Sequence, residues 1–262
     1  MSIAAAAPSP FARRNVLGVE ISVARQREAI EFLLARLGAR EPTRVAFANA
    51  NLLTELSARP GGAALLDGFL VLNDGIAVDL ASLALYRHWF PDNLNGTDLV
   101  PALLKAAPAS VRVFLYGAKP EVVAKAAAVL AERYRCVICG AVDGFSGLPP
   151  QAVAQQAADA AADIVLVALG NPLQEEWIAA HAWATGAPLV IGVGALFDFL
   201  AGAVPRAPAP MRRLRLEWLY RWAHEPGRLR RRYTIGMARF LGLVLRQAAA
   251  SSRRQRRALN WP

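Results

Sequence analysis

The chain has 262 residues, enough for one large α/β domain or a domain with an attached segment. Of these residues 55% are hydrophobic and only 19% charged, which excludes a mainly disordered chain. The formal net charge of +10 is concentrated at one end: from Pro205 onward there are 15 Arg and 2 Glu, a balance of +13, whereas the preceding residues carry 15 Lys+Arg and 18 Asp+Glu, a balance of −3. A mildly acidic body with a strongly cationic end points to a polyanionic partner: nucleic acid, anionic lipid or a diphosphate group.

Residues 1–14, MSIAAAAPSPFARR, read as a disordered lead-in. Prolines interrupt the apolar run and no basic residue precedes it, so it lacks the form of a secretory signal. No stretch approaches the roughly 20 apolar residues of a membrane-spanning helix. The best one, 188–204, is shorter, rich in Gly and contains Asp198. A soluble or peripheral protein is expected, not one that spans a membrane.

Short apolar runs predict strands at 16–21, 44–48, 69–72, 111–116, 136–139, 164–168 and 189–193. Amphipathic, Ala-rich stretches predict helices at 24–37, 76–86, 97–107, 120–134, 149–161 and 173–184. This alternation predicts an α/β, Rossmann-like domain over 15–204, a mostly parallel sheet with helices on both faces. Cys136 and Cys139 are too few for a disulfide framework or a four-ligand zinc site. Three apart on a strand, they point to opposite faces and read as separate core thiols.

Beyond Pro205 no strand-like run occurs. Residues 205–250 read as a basic helical, membrane-associating appendage, two helices broken at Glu225-Pro226-Gly227, with a basic tail at 251–262. In the second helix Ile235, Met237, Phe240, Leu241, Val244 and Leu245 are apolar while Arg231, Arg232, Arg239 and Arg246 are cationic, the make-up of an interfacial helix. The plainer alternative is a helix that caps the sheet or makes a subunit contact in a homo-oligomer.

Parallel α/β sheets bind ligands at the carboxyl ends of their strands. Five predicted strand ends carry small and polar residues: Asn49-Ala50-Asn51, Asn73-Asp74-Gly75, Gly117-Ala118-Lys119-Pro120, the segment Gly170 to Glu175, and Gly194 to Asp198. Asp74 is the leading candidate base, because it follows the apolar run FLVLN, where partial desolvation raises proton affinity. The alternative is that Asp74 caps the following helix. Gly117-Ala118-Lys119-Pro120 opens a helix whose N–H groups could hold phosphate, although an ordinary βα turn reads equally well. No Asp-x-Asp pair occurs, His88, His181 and His224 are scattered, and no G-x-S-x-G is present. Neither a carboxylate-held metal nor a Ser-His-Asp hydrolase is indicated.

The ordered segments NDGIAVD, NGTDL, YGAKPEV, DGF, ADIVLVALGNPLQEEWI, GVGALFDFLAGAVPRAP and LEWLYRWAHEPGRLRRRY resemble the bacterial WecG/TagA/CpsF glycosyltransferases. The resemblance implies transfer of a hexose or N-acetylhexosamine from a UDP-sugar to a sugar on undecaprenyl diphosphate at a membrane surface, for cell-surface polysaccharide. It further implies inversion by a single displacement, with neither metal nor cofactor, at the inner face of the plasma membrane. Asp74 is then the base. The donor and acceptor would be bound by Asn49, Asn51, Thr97, Asp98, Gly117, Gln174, Glu175 and Asp198, with Arg206, Arg221, Arg228 and Arg232 as diphosphate ligands. Arginine suits that task because its planar fork pairs with phosphate bidentately.

Three departures leave the donor sugar open. Asn49-Ala50-Asn51 stands where the family often has Thr-x-Asn, Asp92-Asn93-Leu94-Asn95 where an arginine is common, and Leu173 where a basic residue is usual. The second reading is a basic nucleic-acid-binding α/β protein, which explains the charge but not the polar strand ends. A nucleotide-dependent oxidoreductase lacks the glycine fingerprint.

Overall fold

A computed structural model of the chain describes residues 9–208 and 232–259, with positions 211, 219, 220, 222 and 227 between them. The main sheet contains β3 (Thr43–Ala48), β4 (Phe69–Asn73), β5 (Arg112–Gly117), β6 (Val137–Val142), β7 (Ile164–Ala168) and β8 (Leu189–Gly192). Their order is β4-β3-β8-β7-β5-β6 and every pair is parallel. β4 and β7 are buried at every position, as strands covered on both faces must be. The predicted α/β class is therefore the observed one.

Side-chain alternation divides the core into two layers. Ala46, Val71, Phe114, Val165 and Val190 point to a face covered by α2 (Ala50–Ser57), α3 (Ile76–Tyr86), α6 (Pro150–Asp159) and α7 (Leu173–His181). Val45, Leu70, Val113, Leu166 and Ile191 point to the face covered by α1 (Gln26–Gly38), α4 (Gly96–Ala106), α5 (Pro120–Tyr134) and the short α8 (Leu196–Leu200). β3 and β8 are neighbours, yet α2 leaves to one face and α8 to the other. The chain thus opens a crevice at that switch point.

Parallel registers align the strand ends. Ala48 lies opposite Asn73 and Gly117 opposite Ala168. Backbone bonds continue the ladder one residue further: Asp74 N–H donates to Ala48 O at 2.9 Å, Ala118 N–H to Ala168 O at 3.0 Å and Val193 N–H to Val167 O at 2.8 Å. The loops leave the sheet from one common edge.

Three elements differ from expectation. The strand expected at 16–21 is a hairpin, β1 (Arg13–Val16) and β2 (Val19–Ser22), which also starts inside the expected lead-in. Leu17 (φ 53°) and Gly18 (φ 89°) form its two-residue turn, and Asn15 Oδ1 accepts from Gly18 N–H at 3.1 Å. Helix α2 has no counterpart in the sequence reading; eight residues are too few for a clear period. At the other end α9 (Met237–Leu259), preceded by a π-helical turn from Arg232 to Gly236, runs into the expected basic tail. The expected break at 225–227 lies, apart from Gly227, outside the described residues.

Helix α9 packs on α2 and α3, with Phe240 and Val244 fully inside the core layer they share. Leu241 and Leu245 face away and are exposed, as is Ile235. The apolar residues of this helix thus form two stripes, one docked and one open. Cys136 packs in one core layer and Cys139 against the other, both free thiols that burial pushes up in pKa. The expectation of two separate core thiols is met.

Candidate functional site

A cleft of about 1690 Å³ opens at the carboxyl edge of the sheet, and residues following all six strands line it. Asn49 and Asn51 come from the end of β3, Asp74 and Gly75 from β4, and Ala118 and Lys119 from β5. Gly144 and Phe145 follow β6, Gly170 and Asn171 follow β7, and Gly194 and Asp198 follow β8. The five strand ends singled out by sequence converge here, together with a sixth.

Asp74 lines this cleft at the turn into α3. The N-cap position of α3 is taken by Gly75, at φ 90° and ψ 157°, with Asp74 one residue before it. Such a φ suits glycine. The neighbouring loop pins the turn: Gly75 N–H donates to Asn93 Oδ1 at 2.8 Å, Leu94 N–H to Asn73 O at 3.0 Å and Asn73 Nδ2 to Asp92 O at 2.8 Å. Asp92-Asn93-Leu94 thus grips the residues on both sides of Asp74.

Asn49 is the N-cap of α2, its Oδ1 accepting from Leu52 N–H at 3.0 Å, and Asn51 stands in the first turn. Asn49 Nδ2 donates to Asn171 Oδ1 at 3.1 Å across the β3–β7 gap. Gln174 Oε1 accepts from Gly194 N–H at 3.0 Å. Room for this carboxamide comes from Gly192, where a Cβ would lie 2.9 Å from Gln174 Nε2. Glu175 is completely buried behind these groups and does not itself line the cleft. Burial raises its carboxyl to about 7, against the opposing pull of its amide donors, first Gln174 and then Asn171 after its own backbone.

Asn95 caps α4, accepting from Asp98 N–H at 2.9 Å and from Thr97 Oγ1 at 2.6 Å. Thr97 and Asp98 line the cleft, and the Arg206 guanidinium is ion-paired with Asp98 and reaches Thr97 Oγ1 at 3.4 Å. Arg206 is thus held by a carboxylate of the protein, behind the lining. Gly117 does not line the cleft either. At φ 115° its Cβ would collide with the Ala168 backbone, so glycine is demanded there by close strand packing. Arg221 and Arg228 lie outside the described residues, and Arg232 is described by its backbone alone.

Cationic groups on the cleft wall include Lys119 and Lys125 on the α5 side and Arg239 on the α9 side. Ile235, Gly236 and Met237 join Arg239, so the start of the C-terminal helix forms part of the wall. Arg239, Asn171 and Thr54 were not among the predicted site residues. The signal for Asn171 was its place in the strand-end segment; Arg239 and Thr54 reach the cleft only through packing of α9 and α2. Among the described residues no group of three or more His, Cys, Asp or Glu side chains gathers as a metal site would. No described helix is long and apolar enough to cross a membrane.

A doubly wound parallel sheet with carboxylates, carboxamides and helix N-termini around a wide crevice at its carboxyl edge defines the class as α/β. The chain belongs to the WecG/TagA/CpsF family of glycosyl transferases, whose family model matches residues 14–254. It is 37% identical over 167 residues to an N-acetylglucosaminyldiphosphoundecaprenol N-acetyl-beta-D-mannosaminyltransferase of Bacillus subtilis (strain 168), a match covering 63% of this chain and 64% of that protein. The chain thus spans less than two thirds of the length of this curated relative.

Proposed function

We propose that the protein is an inverting glycosyltransferase that moves a hexose or N-acetylhexosamine from a UDP-sugar to a sugar carried on undecaprenyl diphosphate, in the making of a bacterial cell-surface polysaccharide. The observation that carries this reading is the position of Asp74: a carboxylate on the cleft wall, at the end of an apolar strand, in a chain of this family. The Bacillus subtilis relative is named for an N-acetylglucosaminyl-diphosphoundecaprenol acceptor and an N-acetylmannosaminyl donor group, which makes that pair the first to be assayed.

In this mechanism a hydroxyl of the acceptor sugar gives its proton to an Asp74 carboxylate oxygen as its own oxygen attacks the anomeric carbon of the donor. The bond from that carbon to the diphosphate breaks on the opposite face, and UDP leaves with the electron pair. Negative charge grows on the departing diphosphate. Lys119 and Lys125 on the α5 side and Arg239 on the α9 side line the cleft, which supports a displacement in which protein cations, with no metal, meet that charge. Thr97, Asp98 and Asp198 line the cleft and would offer polar groups to sugar hydroxyls, as would Asn49, Asn51 and Gln174 from the ends of β3 and β7. The exposed Leu241 and Leu245 beside Arg246 suit an anionic membrane surface on the cytoplasmic side, where the lipid acceptor would be met.

The test is incubation of the full chain with a panel of UDP-sugars and a polyprenyl-diphosphate-linked N-acetylglucosamine acceptor, with products identified by mass spectrometry. A product heavier by one sugar residue is expected. Absence of transfer from every donor, with tight and salt-sensitive DNA binding, would favour the nucleic-acid reading instead.

A further inference from the structure

Behind the cleft wall lies a carboxylate that the transfer described above does not use. Glu175, in the first turn of α7, has 0% of its surface exposed. Its Oε1 accepts from Asn171 Nδ2 at 2.7 Å and from Gln174 Nε2 at 2.8 Å. Its Oε2 has no hydrogen-bond partner, although it is buried. A buried carboxylate with an unpaired oxygen is costly, and such a group calls for a reason.

The reason lies in what its neighbours are made to do. Asn171 uses its carbonyl oxygen toward Asn49, and Gln174 uses its own toward the Gly194 N–H. Asn49 in turn is held by the Leu52 N–H. One continuous chain of bonds therefore joins the first residues after β3, β7 and β8. A carboxamide can turn end for end with little change of shape, exchanging a donor for an acceptor. Glu175 Oε1 only accepts, so both NH2 groups must face inward and both carbonyl oxygens must face their cleft-side partners. This holds whether Oε2 is ionised or protonated, because Oε1 accepts in either state. Asn49, Asn171, Gln174 and Gly194 all line the cleft; Glu175 does not.

We propose that Glu175 is a positioning residue: it sets the orientation of the Asn171 and Gln174 carboxamides, and through them Asn49 and the Gly194 N–H, against the donor without touching it. This rests on the glycosyl-transfer reading. Preorganised dipoles stabilise a transition state only when they need not reorient during reaction, and a locked carboxamide meets that condition.

The experiment compares the full chain with its Glu175→Gln, Glu175→Met and Asp74→Asn variants. It measures kcat and KM for the UDP-sugar, and the side-chain amide NMR signals of Asn171 and Gln174. Glu175→Gln keeps an accepting Oε1 and is expected to retain kcat within about threefold of the parent, with both amide signals near their parent positions. Glu175→Met removes the acceptor: kcat is expected to fall by about tenfold or more with a smaller change in KM, and both amide signals move. A folded Met variant with the parent's kcat overturns the proposal, as does a Gln variant as impaired as the Met one. If the Met variant does not fold, the Gln variant decides alone: loss of kcat or displaced amide signals overturns the proposal, and their retention supports it. If the unaltered chain transfers no sugar from any donor, the transfer reading fails. Amide signals that do not differ between the unaltered chain and the Met variant defeat the hold of Glu175 on its neighbours whatever the reaction.

Discussion

The backbone N–H of Leu17 donates to Gln247 Oε1 at 2.8 Å, joining the turn of the N-terminal hairpin to a helix 230 residues further on. Gln247 Nε2 answers with a bond to the Asn15 carbonyl at 3.0 Å. Together with Phe240 and Val244 in the core, this pair makes α9 an integral wall of the α/β body.

Phe240→Ala is therefore expected to lower unfolding free energy by about 3–5 kcal/mol, the usual range for a buried aromatic, and Gln247→Ala by about 1 kcal/mol. Guanidinium denaturation of the full chain measures both. A Phe240→Ala protein as stable as the parent would show that α9 is not docked. Cutting the chain after Val204 would strip core surface, so point variants separate anchoring from folding where truncation does not.

Membrane attachment is expected to use the outward stripe of α9. Leu245, 64% exposed, and Arg246 can be changed without touching the buried stripe. Leu245→Asp and Arg246→Glu should each reduce co-sedimentation with anionic vesicles, the charge reversal by about thirtyfold, since each unit of charge near such a surface is worth about 1 kcal/mol and the reversal changes two. High salt should shrink the Arg246 effect and spare that of Leu245. Equal binding to neutral and anionic vesicles would rule out the electrostatic part.

Asp74→Asn keeps the shape of the side chain and removes the proposed base. Transfer should fall by about 10²–10⁴-fold, the span that general-base catalysis contributes. An asparagine variant with full activity would require another base.

Glu175 makes stability depend on pH. Its carboxyl titrates at about 7 in the folded chain against an ordinary value of 4.5. Below pH 4.5 both folded and unfolded forms are protonated and nothing is lost. As pH rises from there toward 7 the unfolded chain ionises first, so stability falls, levelling off above 7 at a penalty of about 3 kcal/mol. Glu175→Gln should remove this slope. Melting temperatures at pH 5 and pH 8 should then differ less in the variant than in the parent, and an unchanged difference would show that the carboxyl does not titrate there.

Gly117→Ala places a Cβ against the Ala168 backbone at a left-handed φ. A loss of about 1–3 kcal/mol or more in stability is expected, together with a shift of the Lys119 turn. Calorimetry measures the loss, and an unperturbed melting temperature would mean that the β5–β7 edge can relax.

The regular elements were legible because their periods are strong. Residues 76–86, 120–134 and 164–168 form the predicted helices and strand with the same bounds. Helix α2 was not legible, because Leu52, Leu53 and Leu56 in an eight-residue element carry too little of a period. Only 16–21 of the hairpin at 13–22 read as a strand, because its turn, Leu17-Gly18, breaks the apolar run VLGV at Gly18 alone. Asp74 stood out by following an apolar strand, while Arg239 did not, because its place on the cleft depends on how α9 packs on α2 and α3.

The sequence by itself determined the α/β class, the strand ends that would carry polar groups, the concentration of charge beyond Pro205 and the family resemblance. These follow from local pattern: apolar period, turn residues and composition. Only the tertiary structure decided that Asp98 holds Arg206, that Gly117 serves packing, that Glu175 sits behind the cleft, and that α9 turns one apolar stripe inward and one outward. Each of these depends on contacts between residues distant in sequence, where burial and hydrogen-bond partners are set by which elements meet.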